Sequence, residues 1–326
     1  MAQRNWHGNL KTPARQQGVA LITAVLIVAI VASVAAALSL GQQVWLRQME
    51  NINERAQANA LRQAAANWAM AFLARDARES KADHLGEDWA KKLPPLPAEG
   101  ALITLSAEDA QGRFNLNNLV RNGQPSTPDI GVFQQLLRAE GLDVALIEPL
   151  IDWIDPDTQQ RPGGAEDIEY LNLPSPHRTA NQPLTSIDEL RLIKGFNSKV
   201  IERLRPYVVV LPQPTSINVN TALPAVLAAL LGESGATAAQ SILERRQREP
   251  FTEAGQFAAM LPAGVSAPQA AHGVTSTHFL VTIEIRLGRT RHLSETLVQR
   301  PADGKSPVHV WQRRVWPTVV KEEKQT

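Results

Sequence analysis

The residues with the greatest chemical potential lie in Asp152-Trp153-Ile154-Asp155-Pro156-Asp157 and Gly163-Gly164-Ala165-Glu166-Asp167-Ile168-Glu169-Tyr170. Six carboxylates fall within 18 residues, and only Arg161 opposes them. Gly163 and Gly164 let the chain fold back, while Pro156 and Pro162 stiffen it. Gathered carboxylates repel one another unless a hard cation sits among them. Ca2+ takes roughly 6–8 oxygen ligands, backbone carbonyls included, and suits such a loop.

The spacing can be set against an EF-hand. With Asp155 as first ligand, Asp157 is third, Gln159 fifth and Glu166 twelfth, but Gln160 stands where that loop needs Gly. The pattern is therefore not an EF-hand. A solvated loop whose acids cap the next turn fits the charge pattern as well as a metal site does. Two carboxylates could also do acid–base work on a glycoside, but nothing nearby signals a sugar cleft.

Other constellations are weaker. The seven His are scattered, and no H-E-x-x-H or nucleophile elbow is present. His278 and His292 could face each other as ordinary neighbours in a hairpin. Leu190-Arg191-Leu192-Ile193-Lys194-Gly195-Phe196-Asn197, with Val200 to Leu204 after it, looks like a helix–hairpin–helix. So does Asn218-Val219-Asn220-Thr221-Ala222 through Gly232 to Arg245-Arg246. In DNA-binding proteins the N–H groups of such hairpins meet phosphate. Here the hairpins are not Gly-rich, with Gly195 in the first and Gly232 and Gly235 in the second, Glu244 and Glu249 flank the basic pair, and net charge is +1. A helical packing unit is the simpler reading, with DNA binding as the alternative. There is no Cys, which excludes disulfides and thiolate metal sites.

The elements that carry these residues begin with a helix. Residues 19–40 hold no charge, Pro or Gly. At ~1.5 Å per residue such a run crosses a hydrocarbon core of about 30 Å. Arg4, Lys11 and Arg15 precede it without an acid, so the leader should stay cytoplasmic and the rest of the chain lie outside. A cleaved secretory signal has a shorter apolar core. A plain single-span anchor fits, and so does a third arrangement. A short basic leader ends in Gly18 and the apolar helix starts at once, which resembles a type IV prepilin signal. That resemblance implies cleavage between Gly18 and Val19 and N-methylation of Val19. It also marks Thr23 as unusual, because pilins carry Glu at the fifth mature position.

Residues 42–78 contain no Gly or Pro and are rich in helix formers, so the helix should continue to about residue 78. Trp45, Met49, Ile52, Ala56, Ala60, Leu61, Ala64, Ala65, Trp68, Phe72 and Leu73 recur at helical spacing. Residues 101–105 and 113–117 should form a hairpin about Asp109-Ala110-Gln111-Gly112. Residues 129–271 should be nearly all helical. Asp129, Asp143, Asn197 and Thr252 are expected as caps, Ser186 with Glu189 as a capping box, and Thr221 as a helix start. Residues 279–285 and 292–299 alternate with period two and should form a second hairpin, with a last strand near 308–313.

The order of these motifs is similar to that of the K-class minor pseudopilins of type II secretion systems. The likeness rests on the prepilin junction with Thr23 and on Asp109-Ala110-Gln111-Gly112-Arg113-Phe114-Asn115-Leu116-Asn117. It extends through Trp153-Ile154-Asp155-Pro156-Asp157, Gly164-Ala165-Glu166-Asp167-Ile168-Glu169-Tyr170-Leu171, Ala180-Asn181-Gln182-Pro183-Leu184 and Ile217-Asn218-Val219-Asn220-Thr221. It implies an α+β fold: a long N-terminal transmembrane helix and a pseudopilin α/β head with a large inserted all-helical domain. The corresponding segments are leader 1–18, transmembrane helix 19–40, its periplasmic continuation 41–78, head 79–128 and 272–316, insertion 129–271 and disordered tail 317–326. It implies structural calcium near Asp155, Asp157, Glu166, Asp167 and Glu169, with Asp152 as a further carboxylate. It also implies a non-enzymatic, single-pass inner-membrane subunit with a periplasmic bulk. The implied partners are the I- and J-class minor pseudopilins at the pseudopilus tip, other pseudopilins, inner-membrane secretion components and the prepilin peptidase. Thr23 would then mark a subunit with no neighbour beyond it in the fibre.

Overall fold

The computed structural model describes residues 17–315 except 234, 269, 270, 289 and 302–304. Most of the expected leader and all of the expected tail at 317–326 lie outside the described residues. The chain divides into two compact units, Met1–Ala60 and Leu61–Thr326.

Helix α1 (Gln17–Glu79) is continuous, as the run of helix formers predicts. Its first unit exposes Val19, Leu21, Ile22, Val25, Leu26, Ile27, Val28, Ile30 and Val31. The helix is long and apolar enough to cross a membrane, where such a surface loses no solvation. The Thr23 hydroxyl lies 3.0 Å from the carbonyl oxygens of Val19 and Ala20, so its donor is satisfied inside the helix.

In the second unit the end of α1 buries Leu61, Ala65, Ala66, Ala69 and Leu73. The expected stripe is rotated: Ala64 is exposed, and Trp68 stays 44% exposed, stacked on Phe72 at 5.5 Å. Small residues let a helix backbone approach its neighbours closely. The alanines therefore take the inner side and the large rings stay outside.

Two strands follow, β1 (Leu96–Ala98) and β2 (Ala101–Asp109). The next elements are β3 (Phe114–Asn115), β4 (Val120–Arg121), β5 (Gln124–Pro125), α2 (Thr127–Ala139), α3 (Ile147–Ile154) and α4 (Asp167–Leu171). Then come α5 (Ser198–Leu204), β6 (Val208–Val209), β7 (Ile217–Asn218), α6 (Pro224–Leu230), α7 (Gly235–Arg248) and α8 (Ala254–Met260). The chain closes with β8 (His272–Gly273), β9 (His278–Leu287), β10 (Thr290–Gln299) and β11 (Val308–Val315).

An antiparallel sheet of order β1-β2-β9-β10-β11 forms the head. Phe279, Val281, Ile283 and Ile285 are buried, as the period-two alternation predicts, and β9 pairs with β10. His292 pairs with Ile285 and His278 with Gln299, so the two imidazoles do not face each other. Burial holds the His278 imidazole down to about 4.

The hairpin expected about residues 109–112 does not form. β2 pairs with β1 and β9, and β3 pairs in parallel with β6. Asparagines explain the diversion. Asn115 accepts from Leu211 N–H and donates to Gln213 O, Asn117 bridges Leu184 and Leu211, and Asn118 clasps both backbone groups of Thr215. Side-chain amides here satisfy buried backbone that a sheet ladder would otherwise serve.

Asp109 lies opposite Phe279 in register. The chain therefore leaves β2 and returns in β9 at adjacent points, and everything between is inserted. This insertion is mixed rather than all helical. It packs Phe114, Phe133, Leu136, Leu150, Leu190, Leu204, Leu227 and Phe257 in one core, but two-stranded ladders and long loops separate its helices. Asp143 and Asn197 cap as expected, and Ser186 with Glu189 forms the capping box of a 3-10 turn, Ile187–Leu192. Asp129 does not cap α2. It is buried inside the first turn and pairs with Arg121 at 2.7 Å. Thr221 precedes α6 and turns its hydroxyl to Asp109 at 2.5 Å. Thr252 stands outside α8, where Glu253 takes the cap position.

Candidate metal centre

Helix α3 presents an almost fully apolar inner surface, and Pro156 ends it because proline has no N–H to extend the ladder. Asp155 is its C-cap, in extended conformation, with its own N–H donated to Ile151 O at 2.8 Å. Helix α4 begins at Asp167 with Glu166 as N-cap. The connection is therefore the 12 residues 155–166, and the acids at its first, third and last positions are Asp155, Asp157 and Glu166.

These three come together: one oxygen from each lies within 4.8 Å of the others. Asp155 and Glu166 are buried, at 3% and 5% exposure, while Asp157 reaches solvent. Among the described residues nothing donates to Asp155 Oδ1 or Glu166 Oε1. Buried acceptors without donors are rare and need a reason. Burial, with Asp157, Asp152 and Glu166 adding repulsion, pushes the Asp155 carboxyl up to about 6. Burial also raises that of Glu166. Both groups resist ionisation in this setting, and a divalent cation would reverse that. Two hard anionic oxygens without donors, plus a third carboxylate open to water, form a donor set that fits Ca2+.

The other three candidate acids hold the loop. Asp152 is completely buried and accepts N–H bonds from Arg161 at 3.2 Å and Ala165 at 2.9 Å. Asp167 accepts from Thr179 N–H at 3.0 Å and pairs with Arg178 at 3.4 Å. Glu169 accepts from Glu166 N–H at 3.2 Å and from the Gln160 amide at 2.5 Å. Gln160 thus crosses the loop to Gly164 O as well, at 3.1 Å, and does not make the tight EF-hand turn.

A second acidic group was not apparent in the sequence. Asp76, Asp83 and Glu87 also bring oxygens within 4.8 Å. Arg300 serves them: its guanidinium meets Asp76 at 3.0 Å and Asp83 at 2.5 Å, and stands over Phe279 at 4.6 Å. Glu87 accepts from His84 N–H and Trp89 Nε1. A side-chain cation already occupies this cluster.

The second helical hairpin turns Arg246 inward, while Arg191, Lys194, Lys199 and Arg203 of the first are exposed. Arg246 donates to Val219 O and Ala222 O, both at 2.8 Å, and burial lowers its guanidinium to about 10. Arg245 pairs with Glu249 at 2.8 Å. Neither is presented to a phosphate backbone.

Residues 112–213 and 217–275 match the family described as type II secretion system (T2SS), protein K. The type II secretion system protein K of Pseudomonas aeruginosa is 35% identical over 303 residues, which covers 89% of this chain and 90% of the relative. The chain belongs to the type II secretion system protein K family. That of Klebsiella pneumoniae is 30% identical over 88% of this chain and 93% of its own length. The fold also matches a chain in the crystal structure of the GspK-GspI-GspJ complex from enterotoxigenic Escherichia coli. That match has a TM-score of 0.71 at 25% identity, over 82% of this chain and 99% of the other. The two matched segments of the protein K family lie within the insertion and include every acid of the candidate centre.

Proposed function

We propose that this chain is a minor pseudopilin that assembles with GspI- and GspJ-like partners at the tip of a periplasmic pseudopilus. It acts there as a structural subunit, not an enzyme, and helps initiate and cap the fibre that drives protein export. The observation that carries this reading is the fold match over 99% of a chain crystallised in a GspK-GspI-GspJ complex. The exposed apolar part of α1 supports single-pass anchoring, with the N-terminus cytoplasmic and the head periplasmic. Cleavage by a prepilin peptidase between Gly18 and Val19 leaves that helix on the mature protein. Thr23, with its hydroxyl bonded internally, asks for no neighbouring charge. The insertion between β2 and β9 makes the subunit too bulky to repeat along a fibre.

The centre is a structural calcium site. Asp155, Asp157 and Glu166 hold the ion, while Asp152, Asp167 and Glu169 position the loop. When bound, calcium supplies the positive charge that lets three close carboxylates stay ionised, and it ties the end of α3 to the start of α4. Co-purification of the detergent-solubilised chain with GspI- and GspJ-like subunits tests the assembly. A stable ternary complex is expected, and failure to co-elute with either subunit at micromolar concentration would refute it.

A further inference from the structure

We propose that β11 accepts an added strand: an extended segment of another polypeptide that carries a bulky apolar residue and, two positions along on the same face, a carboxylate. The two edges of the head sheet differ. β1 has three residues, and its Pro97 has no N–H to offer, so that edge is blunted. β11 has eight residues and no Pro. Among the described residues it pairs with β10 alone, so the alternate N–H and C=O groups along its outer side are open to another chain.

The side chains beside that edge set the chemistry of the occupant. A cavity of about 340 Å³ adjoins β11, and Val209, Leu280, Leu297 and Trp311 give it an apolar floor. Among the described residues its charged lining is Arg113 and Arg313, with no carboxylate. Arg313 stands 5.2 Å from the Trp311 ring, two positions along on the same face of β11. A strand added there places one side chain over the apolar floor and its second neighbour beside Arg313. Arg113 and Arg313 each meet one acid, Glu108 and Glu295, at 2.7 Å. A guanidinium has five N–H groups and can serve a second carboxylate. The same charge argues against a second copy as the occupant. β11 reads Val-His-Val-Trp-Gln-Arg-Arg-Val, so pairing it with itself brings basic residues together without an acid, and like charges across strands are destabilising.

Hydrogen exchange read by mass spectrometry on the full chain in detergent tests this, with calorimetric titration alongside. The probe is a short synthetic peptide with threonine ends, in which phenylalanine and glutamate stand two positions apart between valines. It should slow exchange of the amides of residues 308–315 and leave those of β1 unchanged. Replacing its glutamate by lysine should weaken binding at least about tenfold, and Arg313→Glu should reverse that preference. N-methylation along one edge of the peptide should abolish binding while N-methylation along the other is tolerated, because an added strand pairs through one edge. Unchanged exchange over residues 308–315 at millimolar probe, or equal binding of the glutamate and lysine peptides, would overturn the proposal. Protection of every amide from 308 to 315 before the probe is added would overturn it as well. It would assign the edge to a second copy if light scattering shows a dimer, and to the chain's own residues 316–326 if it shows a monomer.

Discussion

Gly164 and Asp152 determine each other: a Cβ on Gly164 would stand 1.9 Å from Asp152 Oδ2. The Asp152 carboxylate needs that space because it is fully buried and accepts from the N–H groups of Arg161 and Ala165 on either side of the glycine pair. The loop is wound around a carboxylate, and only a residue without a side chain fits at its closest point. Gly164→Ala should therefore destabilise the folded unit by about 1–3 kcal/mol through overpacking, read as a lower midpoint in denaturant with an unchanged slope. An unaltered midpoint would show that the carboxylate can move aside freely.

Calcium should raise the melting temperature of the chain, and a chelator should reverse the shift. Asp155→Asn with Glu166→Gln should melt at the same temperature with and without the ion. The pH dependence follows from Asp155, whose carboxyl is raised from 3.8 to about 6. The folded state then holds this proton more tightly than the unfolded state does. Its contribution to metal-free stability is present below about pH 4 and is lost as pH rises through about 6. The calcium-induced shift should accordingly be larger at pH 7 than at pH 5. Equal shifts at both, measured by differential scanning fluorimetry, would contradict this.

Arg300 is the cation of the second acidic group, and removing it should be severe. Arg300→Met leaves Asp76 and Asp83 without their partner, and breaking a buried pair in this way costs about 3–5 kcal/mol. Lysine should not rescue it, because one ammonium cannot bridge both carboxylates as the planar fork does. Circular dichroism melts of the three forms would decide, and an Arg300→Lys variant of parental stability would argue against the fork.

Processing predicts a mass. The mature protein from membranes should begin at a methylated Val19, and Gly18→Asp should leave the leader attached. An intact Met1 terminus on the parent chain would refute the prepilin reading.

Thr23 separates anchoring from assembly. Thr23→Val should leave membrane extraction unchanged, since the hydroxyl bonds only to Val19 O and Ala20 O of its own helix. Thr23→Glu introduces a carboxylate with no satisfied partner in the bilayer, costing a few kcal/mol or more when ionised. It should reduce recovery of the ternary complex. Identical recovery would leave Thr23 without a role in assembly.

Local pattern reached far in this chain. The apolar run that becomes α1, the alternation that becomes β9 and β10, and the caps at Asp143, Ser186 and Asn197 all act within a few residues, so they are legible in order along the sequence. The acids at positions 155, 157 and 166 are also legible, because the 12-residue loop between two short helices sets their meeting. What the loop does with the other acids is not. Asp152, Asp167 and Glu169 have the same chemistry, and only their donors in the fold turn them into anchors.

The rest was decided at long range. Arg300 and Asp76 meet across 224 positions, and Asp109 faces Phe279 across an insertion of about half the chain, so neither pairing has a local signal. The expected hairpin about residue 110 failed for the same reason: β2 gained a better partner in β9, and asparagine side chains satisfied the backbone left behind. The outward turn of Trp68 follows from how closely α1 approaches its neighbours. Sequence by itself determined the anchor, the elements and the acids of one loop. Tertiary structure alone decided which of those acids keep an unmet oxygen, because hydrogen-bond donors are assigned by packing between segments distant along the chain.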